Sequence, residues 1–215
     1  MYFIKGFDFR KNKREKWLIM NFERLRDDIL QKLSTELPDN LFYHNVEHSR
    51  KVLDAAVRIA DAEGVTGDKL ILLKTAAILH DCGFLKQYTK NEPVGCKLAM
   101  DILPAYGYSQ NEIDEVCQLI LSTAIPQNPQ NRLSEILCDA DLDYLGCADF
   151  FPIAEALRKE LEGNGVTFSE PDWLRFELNF LKQHKYFTET QKKNRESKKQ
   201  EIVRKLEKQL KKLEK

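Results

Sequence analysis

Three of the chain's four histidines stand in two short clusters that also carry carboxylate or amide side chains. His80-Asp81 closes the apolar run Leu70 to Leu79, and Tyr43-His44-Asn45-Val46-Glu47-His48 sets two histidines four apart. Residues at i and i+4 share one face of a helix, one turn apart. An imidazole and a carboxylate delivered into a core must be paired, protonated or metal-bound, because desolvating them uncompensated is costly. Further on, Asp139-Ala140-Asp141-Leu142-Asp143 places three acids in an otherwise apolar stretch. Imidazole nitrogens and carboxylate oxygens together make a ligand set for a divalent cation. Spacing does not choose among the three acids, since on one continuous helix Asp139 and Asp143 share a face and Asp141 points elsewhere. Taken alone, His80 reads as a hydrogen-bonded core histidine; taken with the other clusters, it reads as a ligand.

Helices must position these groups. From Asn21 the apolar residues Phe22, Leu25, Ile29, Leu30 and Leu33 follow helical spacing, and Pro38 ends the segment. Asn45 is a natural cap for a helix running through Val52, Leu53, Ala56 and Ile59 to a break at Gly64, which puts His44 and His48 at its start. Unpaired backbone donors at such a start favour negative charge, a phosphate included. A helix opened by Asp68 is apolar nearly all round, hence central, and hands off at His80-Asp81 before Gly83. Helices are expected over Glu92 to Tyr106, Gln110 to Ser122, Arg132 to Leu145 and Ala148 to Leu161, with the loop Ala124 to Asn131 beside the site. Ser169-Glu170-Pro171-Asp172 starts another, whose Trp173, Phe176, Phe180 and Leu181 form an apolar stripe. No strand pattern occurs, so the expectation is an all-α, single-domain helical bundle: an N-terminal extension over 1–20, a helical domain over 21–187 and a charged C-terminal helix over 188–215. Val203, Leu206, Leu210 and Leu213 repeat with heptad spacing, which serves either a homodimer seam or packing on the body of the chain.

The ordered set His48, then His80-Asp81, then Asp141 resembles the HD-domain metal-dependent phosphohydrolases. Tyr43-His44-Asn45 followed by His48 is also similar to the Tyr-His-Asn-x-x-His segment of cyclic-nucleotide phosphodiesterases. The likeness runs from about Leu41 to about Asp149. It implies an HD-type bundle in which His48, His80, Asp81 and Asp141 ligate a divalent metal (Mn, Mg, Fe, Ni or Zn) and water activated at the metal attacks a phosphoester. It further implies that His44 and Asp81 are catalytic, His44 as proton donor to the leaving oxygen. Asp139 then becomes either a second acceptor orienting a histidine ligand or a solvated surface acid. No histidine lies between His80 and Asp141, and Asn91-Glu92 stands where some relatives show His-Glu, so Glu92 is a candidate to approach a metal-bound water while a histidine-built second site is disfavoured. The implied substrate is a small phosphoester, foremost a nucleotide phosphodiester, with a nucleotide monoester next. A helical module that binds a nucleotide or protein without turnover is the reading from a different class. Gln118 and Gln127 are candidates to grip a base.

Composition narrows the partners. With 34 basic and 34 acidic residues the 215-residue chain has zero formal charge, so nothing global points to nucleic acid or an anionic membrane. No apolar run reaches the about 20 residues that crossing a bilayer needs. Five cysteines without C-x-x-C spacing read as small core residues of a reducing cytoplasm, and Cys82 lacks a free base to make it a nucleophile. The residues Lys11 to Lys16 read as a solvated link.

Overall fold

The structure, a computed structural model, describes residues 20–214. The link reading of Lys11 to Lys16 therefore lies outside the described residues. Among them the chain forms nine α-helices and three short 3₁₀ turns, with no strand. The helices are α1 (Phe22–Glu36), α2 (Val46–Ala62), α3 (Gly67–Leu79), α4 (Asn91–Ile102), α5 (Gln110–Ser122), α6 (Arg132–Asp141), α7 (Phe150–Gly163), α8 (Glu170–Gln183) and α9 (Glu189–Leu213). The 3₁₀ turns are Cys82–Leu85, Leu103–Tyr106 and Asp143–Gly146.

Local chemistry sets the starts. Asn21 accepts from the Arg24 amide, and Asn45 accepts from both Glu47 N at 2.9 Å and His48 N at 3.1 Å, so the cap of α2 also fixes the turn that carries His48. Ser169 and Thr188 cap α8 and α9 in the same way. The nearly all-apolar α3 packs against α1, α2, α5 and α6, with Leu73, Ala76, Ala77, Ile78 and Leu79 fully buried. Around it lies the first hydrophobic core, drawn from α1 to α6.

A second core joins the 3₁₀ turn after α6 to α7, α8 and α9 through Leu145, Phe150, Trp173, Leu178, Ile202 and Leu206. The heptad residues of the tail thus find partners within the chain: Val203 and Leu206 are buried, Leu210 packs against this core, and Leu213 stays exposed. One helix is shorter than its sequence pattern. The expected Arg132 to Leu145 helix stops at Asp141 and tightens into the separate turn Asp143–Gly146. Asp139 and Asp143 consequently share no helix face, and both are drawn toward the start of α9. No described helix is long and apolar enough to cross a membrane.

Candidate metal centre

His80 follows the last residue of α3 and is 1 % exposed. Its Nδ1 lies 2.9 Å from the Ala77 carbonyl, which can only accept, so Nδ1 carries the hydrogen and Nε2 is turned into the cluster. His48, on the first turn of α2, brings its own Nε2 to 3.3 Å from that of His80. Asp81 Oδ2 lies 3.0 Å from His80 Nε2 and 3.3 Å from His48 Nε2. Asp141, the last residue of α6, places Oδ1 at 3.4 Å from His48 Nε2 and 3.5 Å from His80 Nε2. His48, His80 and Asp141 thus form a group whose ligand atoms lie close enough together to hold one ion, and Asp81 Oδ2 lies against both ring nitrogens.

The donor set can be tested against a shared ion. Ligand atoms about 2.1 Å from one cation sit about 3.0 Å apart at right angles and about 3.4 Å apart at tetrahedral angles. Every separation above falls between 3.0 and 3.5 Å. Asp81 Oδ2 is buried and close to both rings, yet it is not aligned as a hydrogen bond with either. That orphaned oxygen and two ring nitrogens aimed at each other are what a cation would satisfy. Charge balance agrees, since a dication with two neutral imidazoles offsets two buried carboxylates. The residues fit a divalent metal.

Electrostatics couple the four side chains. Burial works against charging His80, but the carboxylates of Asp81 and Asp141 outweigh it and hold the imidazole well above its ordinary range. For Asp81 burial favours the neutral acid, and His80 and His48 overturn this, leaving the carboxyl well below the usual value. Burial pushes the neighbouring Cys82 thiol up to about 12, away from the thiolate.

His44 stands beside this centre and outside the ligand set. Its ring is 5.9 Å from that of His48, edge on, and stacks on Phe84 at 4.2 Å. Its Nδ1 bonds Oε1 of Glu160, a fully buried side chain of α7. The other oxygen of Glu160 accepts from Tyr43 N at 2.8 Å and His44 N at 2.9 Å. Burial alone would raise the Glu160 carboxyl, but these donors, the His44 ring first, bring it below its ordinary value. A carboxylate on Nδ1 leaves Nε2 as the ring nitrogen able to exchange a proton with something else. Tyr43 is buried against His48 and Tyr144, and burial holds its phenol well above the normal range, so it packs the turn before His44.

Several sequence expectations need correcting. Asp139 neither orients a histidine nor meets solvent; it is fully buried and accepts from Phe187 N, Thr188 N and Thr188 Oγ1 at 2.6 to 2.8 Å. Gln127 grips the site itself, donating to Asp141 Oδ2 at 3.2 Å and to the Cys138 carbonyl at 3.1 Å, which leaves Oδ1 for the imidazoles. This brings the loop before α6 to the cluster. Of the pair Asn91-Glu92, the first is the buried one, and its Oδ1 has no partner. Glu160 carried no motif. Its only sequence signal was an acid three positions after Leu157 and next to Leu161, on the inward side of α7.

A cavity of about 530 Å³ reaches the His48 and Asp141 edge of the cluster between α2 and α7. Tyr43 and Tyr144 form part of its lining, along with Lys51, paired to Asp149 at 3.2 Å, and Arg58, paired to Asp143 at 2.8 Å.

Residues 45–143 match the HD domain family model. The fold is similar to that of a protein described as a predicted HD superfamily hydrolase from an uncultured Thermotogales bacterium, at 21% identity over 88% of this chain and 92% of that one, with a TM-score of 0.59. No curated protein matches the chain. The segment 45–143 holds His48, His80, Asp81 and Asp141 together, and it is over that segment that the chain matches the HD domain family.

Proposed function

We propose that this chain is a metal-dependent phosphohydrolase acting on a small phosphoester, with a nucleotide phosphodiester as the substrate. The observation that carries the reading is that the facing ring nitrogens of His48 and His80 each have a carboxylate oxygen of Asp81 and one of Asp141 within 3.5 Å, beside a histidine that is not one of them. His48, His80, Asp81 and Asp141 would hold the ion. A divalent cation bound there supplies Lewis acidity toward a phosphoryl oxygen and lowers the pKa of a coordinated water.

The remaining work falls to the chain's own groups. Departure of an alkoxide is unfavourable without a proton, and His44 is the donor, its Nδ1 held by Glu160 and its ring steadied on Phe84. Asp81 has a second carboxylate oxygen beyond the one facing the rings, available to accept from the attacking water. The tyrosine pair and the walls of α2 and α7 line the cavity that would receive the rest of the substrate. Preference for a diester of a nucleotide is supported by the Tyr43-His44-Asn45 segment ahead of His48, which resembles that of the cyclic-nucleotide enzymes.

The test is direct. Purified protein given manganese or magnesium and offered cyclic and linear nucleotides should release product, and His80→Ala should abolish release. Binding of nucleotide without product under every metal tried would replace the enzyme with a binding module.

A further inference from the structure

We propose that the start of α9 is part of the metal centre, with Thr188 and Arg195 as positioning residues that hold Asp141 in place by gripping the acid on either side of it. The inference rests on the metal-binding reading above and extends it to a segment that lies beyond residues 45–143, the stretch that matches the HD model.

Asp141 is the last residue of α6, at a point where the helix gives way to the 3₁₀ turn. Nothing in a helix end of that kind fixes a side chain to a few tenths of an ångström, and a shared ion needs that accuracy. Two residues before it, Asp139 is tied to the lead-in of α9 by Phe187 N at 2.8 Å, Thr188 N at 2.8 Å and Thr188 Oγ1 at 2.6 Å. Two residues after it, Asp143 receives Arg195 in a two-pronged grip, Nε to Oδ1 at 2.7 Å and Nη2 to Oδ2 at 2.9 Å. Gln191 Nε2 adds a bond to Asp143 at 2.5 Å, and Arg58 adds one from α2, the helix that carries His48.

Close backbone approach makes the grip possible. A Cβ on Gly146 would lie 2.6 Å from both the Cβ and the carbonyl oxygen of Arg195, so α9 rests directly on the 3₁₀ turn. The five residues 139–143 are thus pinned at both ends by one helix, with Asp141 at the midpoint and Gln127 choosing which of its oxygens faces the rings. Bidentate guanidinium pairs fix geometry as well as charge, which is why arginine suits the outer end.

Cobalt titration of the full-length chain tests this, reading dissociation constant and ligand-field absorption together. Arg195→Ala should weaken cobalt binding about tenfold or more and alter the spectrum. Thr188→Val should do so to a smaller degree, and Arg195→Lys should recover part of the loss. Leu206→Ala, which damages α9 packing far from Asp143, should lower the melting temperature and leave affinity and spectrum as in the parent. If Arg195→Ala does not fold, Arg195→Lys and Thr188→Val carry the same comparison. Unchanged affinity and spectrum in the Arg195 and Thr188 variants overturn the proposal while the metal reading stands, and so does an equal loss in Leu206→Ala. A parent chain that takes up no cobalt overturns the metal reading and the proposal with it.

Discussion

Two imidazole nitrogens 3.3 Å apart repel each other unless a proton or a cation lies between them. The pairing of His48 with His80 is therefore the most informative contact in the molecule, and it separates the residues into two kinds. Loss of a ligand, as in His80→Ala or Asp81→Asn, should remove bound metal, measured by elemental analysis of the purified variant. Loss of His44 should not. His44→Gln is expected to retain parent metal content while product release falls about 10²- to 10⁴-fold, the usual contribution of a positioned acid. Glu160→Gln keeps an acceptor for the two backbone amides and removes the charge on the ring, so it should lower turnover with metal content intact; metal loss in either variant would make that residue part of the ligand scaffold. The histidines were legible in sequence because the type is rare and its placement in apolar runs is hard to obtain by packing. Glu160 was not, because an acid on a helix is ordinarily a solvated one, and only the contact with residues 116 and 117 positions away gives it a role.

At the scale of elements, the helical stripes of α1, α2 and α5, each with one buried face, and the nearly all-apolar α3 could be read directly, since each has a cap or break in the chain where it begins or ends. The end of α6 could not. Its apolar pattern continues past Asp141, but the bonds that end the helix come from Thr188 and Arg195 at the far end of the chain, and no local signal encodes them. A similar long-range constraint acts on the turn carrying His80-Asp81. A Cβ placed on Gly83 would meet the Asn91 carbonyl oxygen at 1.9 Å, so the start of α4 is seated directly on the residue two after Asp81. Backbone cannot yield as a flexible side chain does. Gly83→Ala should therefore push α4 away from the turn, at a cost of about 1–3 kcal/mol as in other overpacked sites. Thermal melting should show that loss, and metal affinity should fall with it, because the displaced turn carries His80 and Asp81, two of the proposed ligands.

The described residues form two hydrophobic cores, and α8, one of the helices of the second, carries a buried carboxyl for which no partner is found. Glu177 of α8 is 2 % exposed, and burial pushes its carboxyl up to about 7 from an ordinary 4.5. Between these values the folded chain binds more proton at this position than the unfolded chain, so stability falls as pH rises through the window and the loss levels off above about 7. At 1.36 kcal/mol per pKa unit the full loss is on the order of 3 kcal/mol. His184, at the end of α8, acts in the opposite sense: burial, and then Lys199, lower it to about 4 from 6.5, so its contribution is lost as pH falls through that range. The two slopes oppose each other over most of one window, and the parent chain should show little net pH dependence from this pair. Replacing one partner exposes the other. Glu177→Gln should match the parent near pH 4.5 and become progressively more stable than it toward pH 8, measured as the difference in denaturant midpoint between the two proteins at each pH. A difference that stays flat across that range would mean that Glu177 is ionised in the folded chain, with a cationic or hydrogen-bonding partner to hold it so.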